Sequence, residues 1–158
     1  MSIFEHQFLV NAPLARVWQF HDDPAMLTQV MTFPIKAIVH QVDRPVQPGS
    51  VVRMTFWFGP APVKWTVVVR ERKPPNMFRD EQPLGEGPFA RWNHTHRFEE
   101  MADGRHTLIC DRIDYEPPFG ALGKGLDKIF GKLAMRLMFS GRERATKRFL
   151  ESQGSVTR

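Results

Sequence analysis

The sequence predicts an α+β domain: a curled antiparallel sheet of seven strands with one long C-terminal helix laid across its concave side. Three observations carry that prediction. The segment from roughly Gly120 to Gln153 is the one long run with helical periodicity. Nearly everything between Pro34 and Pro117 alternates as strands broken by Pro- and Gly-rich turns. A lone amphipathic helix after such a run has only the sheet on which to bury its apolar face.

Ile3 to Val10 reads as the first strand, with Phe4, His6, Phe8 and Val10 on one face. Asn11-Ala12-Pro13 stops it, and Pro13 suits the first position of a short helix with Leu14, Val17, Trp18 and His21 on its apolar side. Asp22-Asp23-Pro24 opens a second short helix. Asp23 is a fit N-cap, Pro24 a fit first residue, and Leu27, Val30 and Met31 form the buried side.

Strands follow over Ile35–Val42, Ser50–Phe58, Val63–Arg72 and Met77–Gln82, separated by Arg44-Pro45 to Pro48-Gly49, Gly59-Pro60-Ala61-Pro62 and Pro74-Pro75-Asn76. The inward side of Ile35–Val42 is ambiguous from its pattern. After the loop Leu84-Gly85-Glu86-Gly87-Pro88, strands over Phe89–Met101 and Arg105–Tyr115 flank Asp103-Gly104, a strong two-residue hairpin signal. Six consecutive strands after the helix pair are too many to stay flat. A curled sheet with a helix over its mouth encloses a volume of the kind that holds ligands.

On the long helix, Leu126, Phe130, Leu133, Leu137, Gly141 and Ala145 share one broad face, flanked by Leu122, Ile129, Met138 and Phe149. Lys124, Lys128, Lys132 and Arg136 recur opposite, as a solvated face. Met135 and Phe139 fall among these basic residues and are expected to be exposed, where a loop, a dimer or a peripheral membrane contact would use them.

Length and composition set outer bounds. With 158 residues, 42% apolar content, 13 Phe and 4 Trp, the chain makes a single core. One domain is expected over residues 1–153, with 154–158 as a frayed tail. There is no long apolar run and no signal-like N-terminus, so a soluble, unexported, cytoplasmic monomer or homodimer is expected. The single Cys110 excludes an internal disulfide and any multi-cysteine metal site. The net charge of +5 is concentrated near the C-terminus, and no nucleic-acid module motif is present, so no nucleic-acid partner is expected.

The chemistry concentrates in the last hairpin. A two-residue turn at Asp103-Gly104 pairs Phe98 with Ile109, His96 with Asp111, His94 with Ile113 and Trp92 with Tyr115, all on one side of the sheet. The other side is mostly polar, so these residues face the helix. Three readings stay open for His94, His96 and Asp111. They form a satisfied buried pair, or they orient a mostly apolar ligand, or they carry metal or acid–base chemistry, with Asp111 completing a two-histidine, one-carboxylate set. The His-x-His spacing is a weak metal signal, and no Gly-rich loop precedes a helix, so no metal and no cofactor are expected. The candidate catalytic residues are His94, His96 and Asp111. The candidate ligand-binding residues are Trp92, His94, His96, Phe98, Asp111, Ile113 and Tyr115 from the hairpin, with Phe130, Leu133 and Leu137 from the helix.

The chain also resembles a known superfamily along nearly its whole length. The resemblance runs through Asn11-Ala12-Pro13-Leu14-Ala15-Arg16-Val17-Trp18, Phe78-Arg79-Asp80-Glu81-Gln82, Gly87-Pro88-Phe89 and Trp92-Asn93-His94-Thr95-His96-Arg97-Phe98, and closes with Asp111 to Gly123. These resemble the motifs of small bacterial stand-alone members of the START-like (SRPBCC) superfamily, in its polyketide cyclase/dehydrase group. The resemblance implies a helix-grip fold: a seven-stranded antiparallel sheet around a long C-terminal helix, with two short helices closing one end. The superfamily includes lipid and sterol carriers, hormone receptors, aromatic polyketide cyclases and the hydrophobic-ligand domains of ring-hydroxylating oxygenases. The oxygenases' iron-binding motif is not among these residues. The implied activity is therefore binding or carriage of a hydrophobic or amphipathic small molecule, with a cyclase or dehydratase as the alternative.

Overall fold

The structure is a computed structural model that describes residues 1–31, 34–127 and 131–152. Seven antiparallel strands, β1 (Ser2–Val10), β2 (Ile35–Val42), β3 (Val51–Phe58), β4 (Ala61–Lys73), β5 (Met77–Glu81), β6 (Arg91–Glu100) and β7 (Thr107–Glu116), form one sheet. Their order is β1-β7-β6-β5-β4-β3-β2, so every neighbour after β1 is joined by a hairpin. Register shifts at Val39/Gln41 in β2 and Val69/Glu71 in β4 mark irregularities of the kind that bend a strand and strengthen its twist.

Between β1 and β2 lie α1 (Leu14–Asp22), a 3₁₀ turn over Pro24–Met26 and α2 (Leu27–Val30). The second short helix expected from sequence is thus a 3₁₀ turn continued by a single α turn. Its start is as expected: Asp23 Oδ1 accepts from the Ala25 N–H at 3.0 Å, with Pro24 at the first position. Arg72 on β4 grips Asp22 through both carboxylate oxygens and lies 5.2 Å over the Trp18 ring, which fastens α1 to the sheet.

The β6–β7 hairpin keeps the register expected from Asp103-Gly104, with Trp92↔Tyr115, His94↔Ile113, His96↔Asp111 and Phe98↔Ile109. The strands end sooner than expected, at Glu100 and Thr107. Asp103 Oδ1 instead accepts from the N–H groups of Arg105 and His106, and Gly104 takes φ 64°, where a side chain would be strained. In β2, Ala37 is buried and Ile35 and Val39 pack on the core, which settles its inward side.

Among the described residues, the C-terminal helical segment is covered by α3 (Gly120–Leu126) and α4 (Lys132–Ser152). The face that α4 buries is not the one expected from the sequence. Met135 and Phe139, expected outside, are 5% and 2% exposed, while Leu133 and Leu137, expected inside, are 57% and 67% exposed. Leu122 is exposed as well. The buried stripe of α4 runs Met135, Phe139, Ala145, Thr146 and Leu150, with Gly141 also inside as expected. Choosing it from sequence means burying Thr146 and half-burying Arg142, which pattern reading penalises. The helix packs on β1 and α2, and Glu143 meets His6 of β1 at 2.8 Å.

Two apolar clusters result. One joins Phe4, Met54, Phe56, Trp65, Trp92, Ile113, Tyr115, Met135 and Phe139. The other joins Phe8, Val10, Val17, Phe20, Phe98, Ile109, Ala145 and Leu150 at the α1 end. Among the described residues, no helix is long and apolar enough to cross a membrane.

Candidate functional site

Antiparallel register lays two rows of side chains side by side on the concave face. One row runs Phe78–His96–Asp111–His6 across β5, β6, β7 and β1, and the next runs Asp80–His94–Ile113–Phe4. Opposed residues on neighbouring strands point the same way, so five polar groups, His6, Asp80, His94, His96 and Asp111, lie side by side with Phe78, Ile113 and Phe4 in these rows.

Beside them a cavity of about 140 Å³ opens between the sheet and α4. Its wall is mostly apolar, built from the sheet by Met54, Phe56, Trp65, Val67 and Trp92, and from the helices by Leu27, Met138 and Phe139. The polar groups on it include Asp80, His94, His96, His21 and Arg142. The loop after β5 shapes the wall from behind. A Cβ on Gly87 would collide with the Gln82 side chain and come within 2.7 Å of Trp65 Cδ1, so only glycine lets this loop close on the indole.

Asp111 sits one layer deeper, 3% exposed, and serves both imidazoles. His94 Nε2 donates to its Oδ1 at 3.0 Å. His96 Nδ1 is 2.8 Å from the same oxygen, but off the line that a hydrogen bond needs, so that contact is electrostatic. The other nitrogen of His96 faces Asp80 Oδ2 at 3.4 Å. The two imidazole centroids lie 3.7 Å apart, and Phe78 stacks on His96 at 4.1 Å.

These positions dictate unlike protonation. Burial, then the neighbouring His96, lower His94 to about 4, against the pull of Asp111. Burial also works against the charge on His96, but the Asp111 and Asp80 carboxylates outweigh it and raise this group above the ordinary imidazole value. Burial opposes the charge on Asp111 too, yet His94, His96 and Arg142 hold it well below the usual carboxylate range. His21 is lowered to about 3 by burial and by Arg142, and its Nδ1–H donates to the Val17 carbonyl. Arg142 lies over the Phe139 ring at 5.8 Å. Among the described residues no carboxylate is within ion-pair distance of it.

With this geometry stands a sequence match: residues 10–138 match the family described as "Polyketide cyclase / dehydrase and lipid transport". The chain belongs to that family. No curated protein matches the sequence. Solved structures share the fold of this polyketide cyclase/dehydrase family member at low identity. Protein CV1439 from Chromobacterium violaceum superposes with TM-score 0.75 at 13% identity, covering 94% of this chain and 96% of that one. TTHA0849 from Thermus thermophilus gives 0.74 at 18% identity, with 98% and 100% covered. The Zhui aromatase/cyclase from Streptomyces sp. R1128 gives 0.66 at 16% identity, with 94% and 95% covered. The seven-stranded helix-grip architecture of the SRPBCC superfamily is thus the fold of this chain.

Of the residues singled out by sequence, Trp92, His94 and His96 lie on the cavity wall of this family member, with Asp111 touching both histidines from behind. Phe98, Ile113 and Tyr115 are buried in the clusters but are not on the wall. The Tyr115 hydroxyl is turned to α3's end, where it donates to Asp127 at 2.8 Å; burial and that carboxylate push it up to about 12. Leu133 and Leu137 face outward, and Met138 and Phe139 hold the places expected of them. Phe130 lies outside the described residues. Sequence reading passed over Asp80, Phe78 and Arg142. Asp80 had a signal: β5 neighbours β6, and a polar residue in a short strand opposite His94 is a candidate once that pairing is considered. Arg142 had none, because one more cation on a helix rich in basic residues reads as solvated.

Proposed function

We propose that this protein binds or carries a hydrophobic or amphipathic small molecule in the cavity between the sheet and α4. The observation that carries the reading is the wall itself, apolar and aromatic from both layers and open at one side to solvent. A volume of about 140 Å³ is of the size that accepts an aromatic ring, so one ring or an equivalent chain segment is enclosed and the rest of a larger ligand extends toward the opening. Burying about 200 Å² of apolar ligand surface contributes roughly 5 kcal/mol before immobilisation costs, which suits reversible carriage. Arg142 and the histidines supply a polar end to a mostly apolar pocket and so orient an amphipathic occupant. A neutral naphthyl probe such as N-phenyl-1-naphthylamine tests this: its fluorescence rises saturably with the native protein, and a flat titration refutes the reading.

A second reading is favoured by the buried His94–Asp111–His96 cluster on that wall. An imidazole held by Asp111 takes a proton from the carbon between two carbonyls, the carbanion attacks a further carbonyl of the same chain to form the ring bond, and the imidazolium returns its proton to the alkoxide so formed, as in a cyclase or dehydratase. Exclusion of water by the aromatic wall serves such a step. Turnover of a poly-β-carbonyl thioester that is lost in His96→Ala, with probe binding retained, supports it. Unchanged turnover removes His96 from the mechanism.

A further inference from the structure

We propose that Asp80, His94 and His96 form a binding site for a divalent transition-metal ion in the wall of the cavity. One donor atom from each of the three lies within 4.8 Å of the other two. His96 Nε2 and Asp80 Oδ2 are 3.4 Å apart, and two donors sharing an ion at about 2.1 Å each are roughly 3 to 3.5 Å apart. The backbone supplies this convergence. His94 and His96 are two apart on β6 and point to one side, and Asp80 on β5 stands directly opposite His94. All three are fixed on strands of a paired sheet, which holds ligands better than loops do.

The surroundings have the form of a metal site's outer shell. Metal-binding imidazoles commonly turn their second nitrogen to a carboxylate that fixes the ring and raises its basicity. Here Asp111 Oδ1 accepts from His94 Nε2 at 3.0 Å and so fixes that ring, and the same oxygen lies 2.8 Å from His96 Nδ1 as a charge contact. Two imidazoles and one carboxylate suit Zn²⁺, Co²⁺, Ni²⁺ or Fe²⁺ better than Mg²⁺ or Ca²⁺, which seek an all-oxygen shell. Three protein donors leave a position open toward the cavity, where a water or a ligand oxygen completes the shell. The site concerns the same cavity but does not depend on what else the cavity binds.

The test uses the full chain after dialysis against chelator, titrated with Zn²⁺ by calorimetry and with Co²⁺ by visible absorption. One equivalent binds, and Co²⁺ develops the ligand-field bands of a low-symmetry nitrogen–oxygen site, while Mg²⁺ gives no heat. Asp80→Asn removes a donor at a position that retains some exposure, so the fold survives, and it abolishes the Co²⁺ bands. Asp111→Asn touches no ion, yet weakens Zn²⁺ by about 10- to 100-fold. His106→Ala, at a half-buried histidine on the hairpin loop remote from the cavity wall, leaves both titrations unchanged. No stoichiometric Zn²⁺ binding by the native chain overturns the proposal, as does binding that survives Asp80→Asn or vanishes in His106→Ala.

Discussion

Replacing Phe139 by Ala tests which face of α4 meets the sheet. The Phe139 ring is 2% exposed, lies 5.2 Å from Phe4 and 5.7 Å from His94 by ring centroids, and carries Arg142 over one face. Truncating a buried Phe to Ala costs about 3 to 5 kcal/mol. The void here opens into an existing cavity and removes aromatic contacts worth about 0.5 to 1.5 kcal/mol, so the cost cannot be recovered by simple collapse. Leu137, two residues earlier and 67% exposed, changes stability by less than about 0.5 kcal/mol when truncated. Urea unfolding followed by circular dichroism measures both. With a urea slope of about 2 kcal/mol per molar, Phe139→Ala lowers the midpoint by roughly 1.5 M or more at unchanged slope, and Leu137→Ala leaves it in place. The reverse ranking would refute the packing described for α4 and restore the face that runs through Leu133 and Leu137.

Three further outcomes follow from the site. Asp111→Ala leaves two buried imidazoles without their carboxylate and lowers stability by about 3 to 5 kcal/mol, read from the same urea curves. Gly87→Ala drives a methyl into Gln82 and Trp65, costs about 1 to 3 kcal/mol and shifts tryptophan emission; a variant as stable as the native chain contradicts the close approach. His21 is held at about 3 in the folded chain against an ordinary value near 6.5, so its neutral form stabilises the fold at and above pH 6.5. That contribution is lost as pH falls from 6.5 toward 3, at no more than about 1.4 kcal/mol per pH unit, because the residue keeps some solvent contact. His21→Gln therefore shows a shallower loss of stability in acid than the native chain, and equal slopes contradict the assignment.

Most of the fold was legible because its signals are local. Alternation marked the strands, Asp23-Pro24 marked a helix start, and Asp103-Gly104 set the β6–β7 register even though the loop closes differently. That register is also why Trp92, His94, His96 and Asp111 could be grouped from sequence: a period of two admits no partial error. What was not legible depends on tertiary choice. Two stripes of α4 compete, and Leu133 with Leu137 makes the cleaner pattern. The stripe with Met135 and Phe139 goes inside because it meets Phe4 and the cavity, at the cost of drawing in Thr146 and Arg142. Asp80 was missed for a related reason: its partner His94 comes from a pairing across the irregular loop 82–90, which no turn motif announces.

The space between the sheet and α4 is the proposed ligand site, and filling it tests that proposal directly. Val67 lies on the cavity wall, and Val67→Trp places an indole in that volume. Native mass spectrometry after incubation with a lipid extract, together with the neutral naphthyl probe, compares the two chains at matched stability. The native chain retains small-molecule adducts and binds the probe, while Val67→Trp loses both by tenfold or more. Equal retention by the two chains would place any ligand outside the space between the sheet and α4.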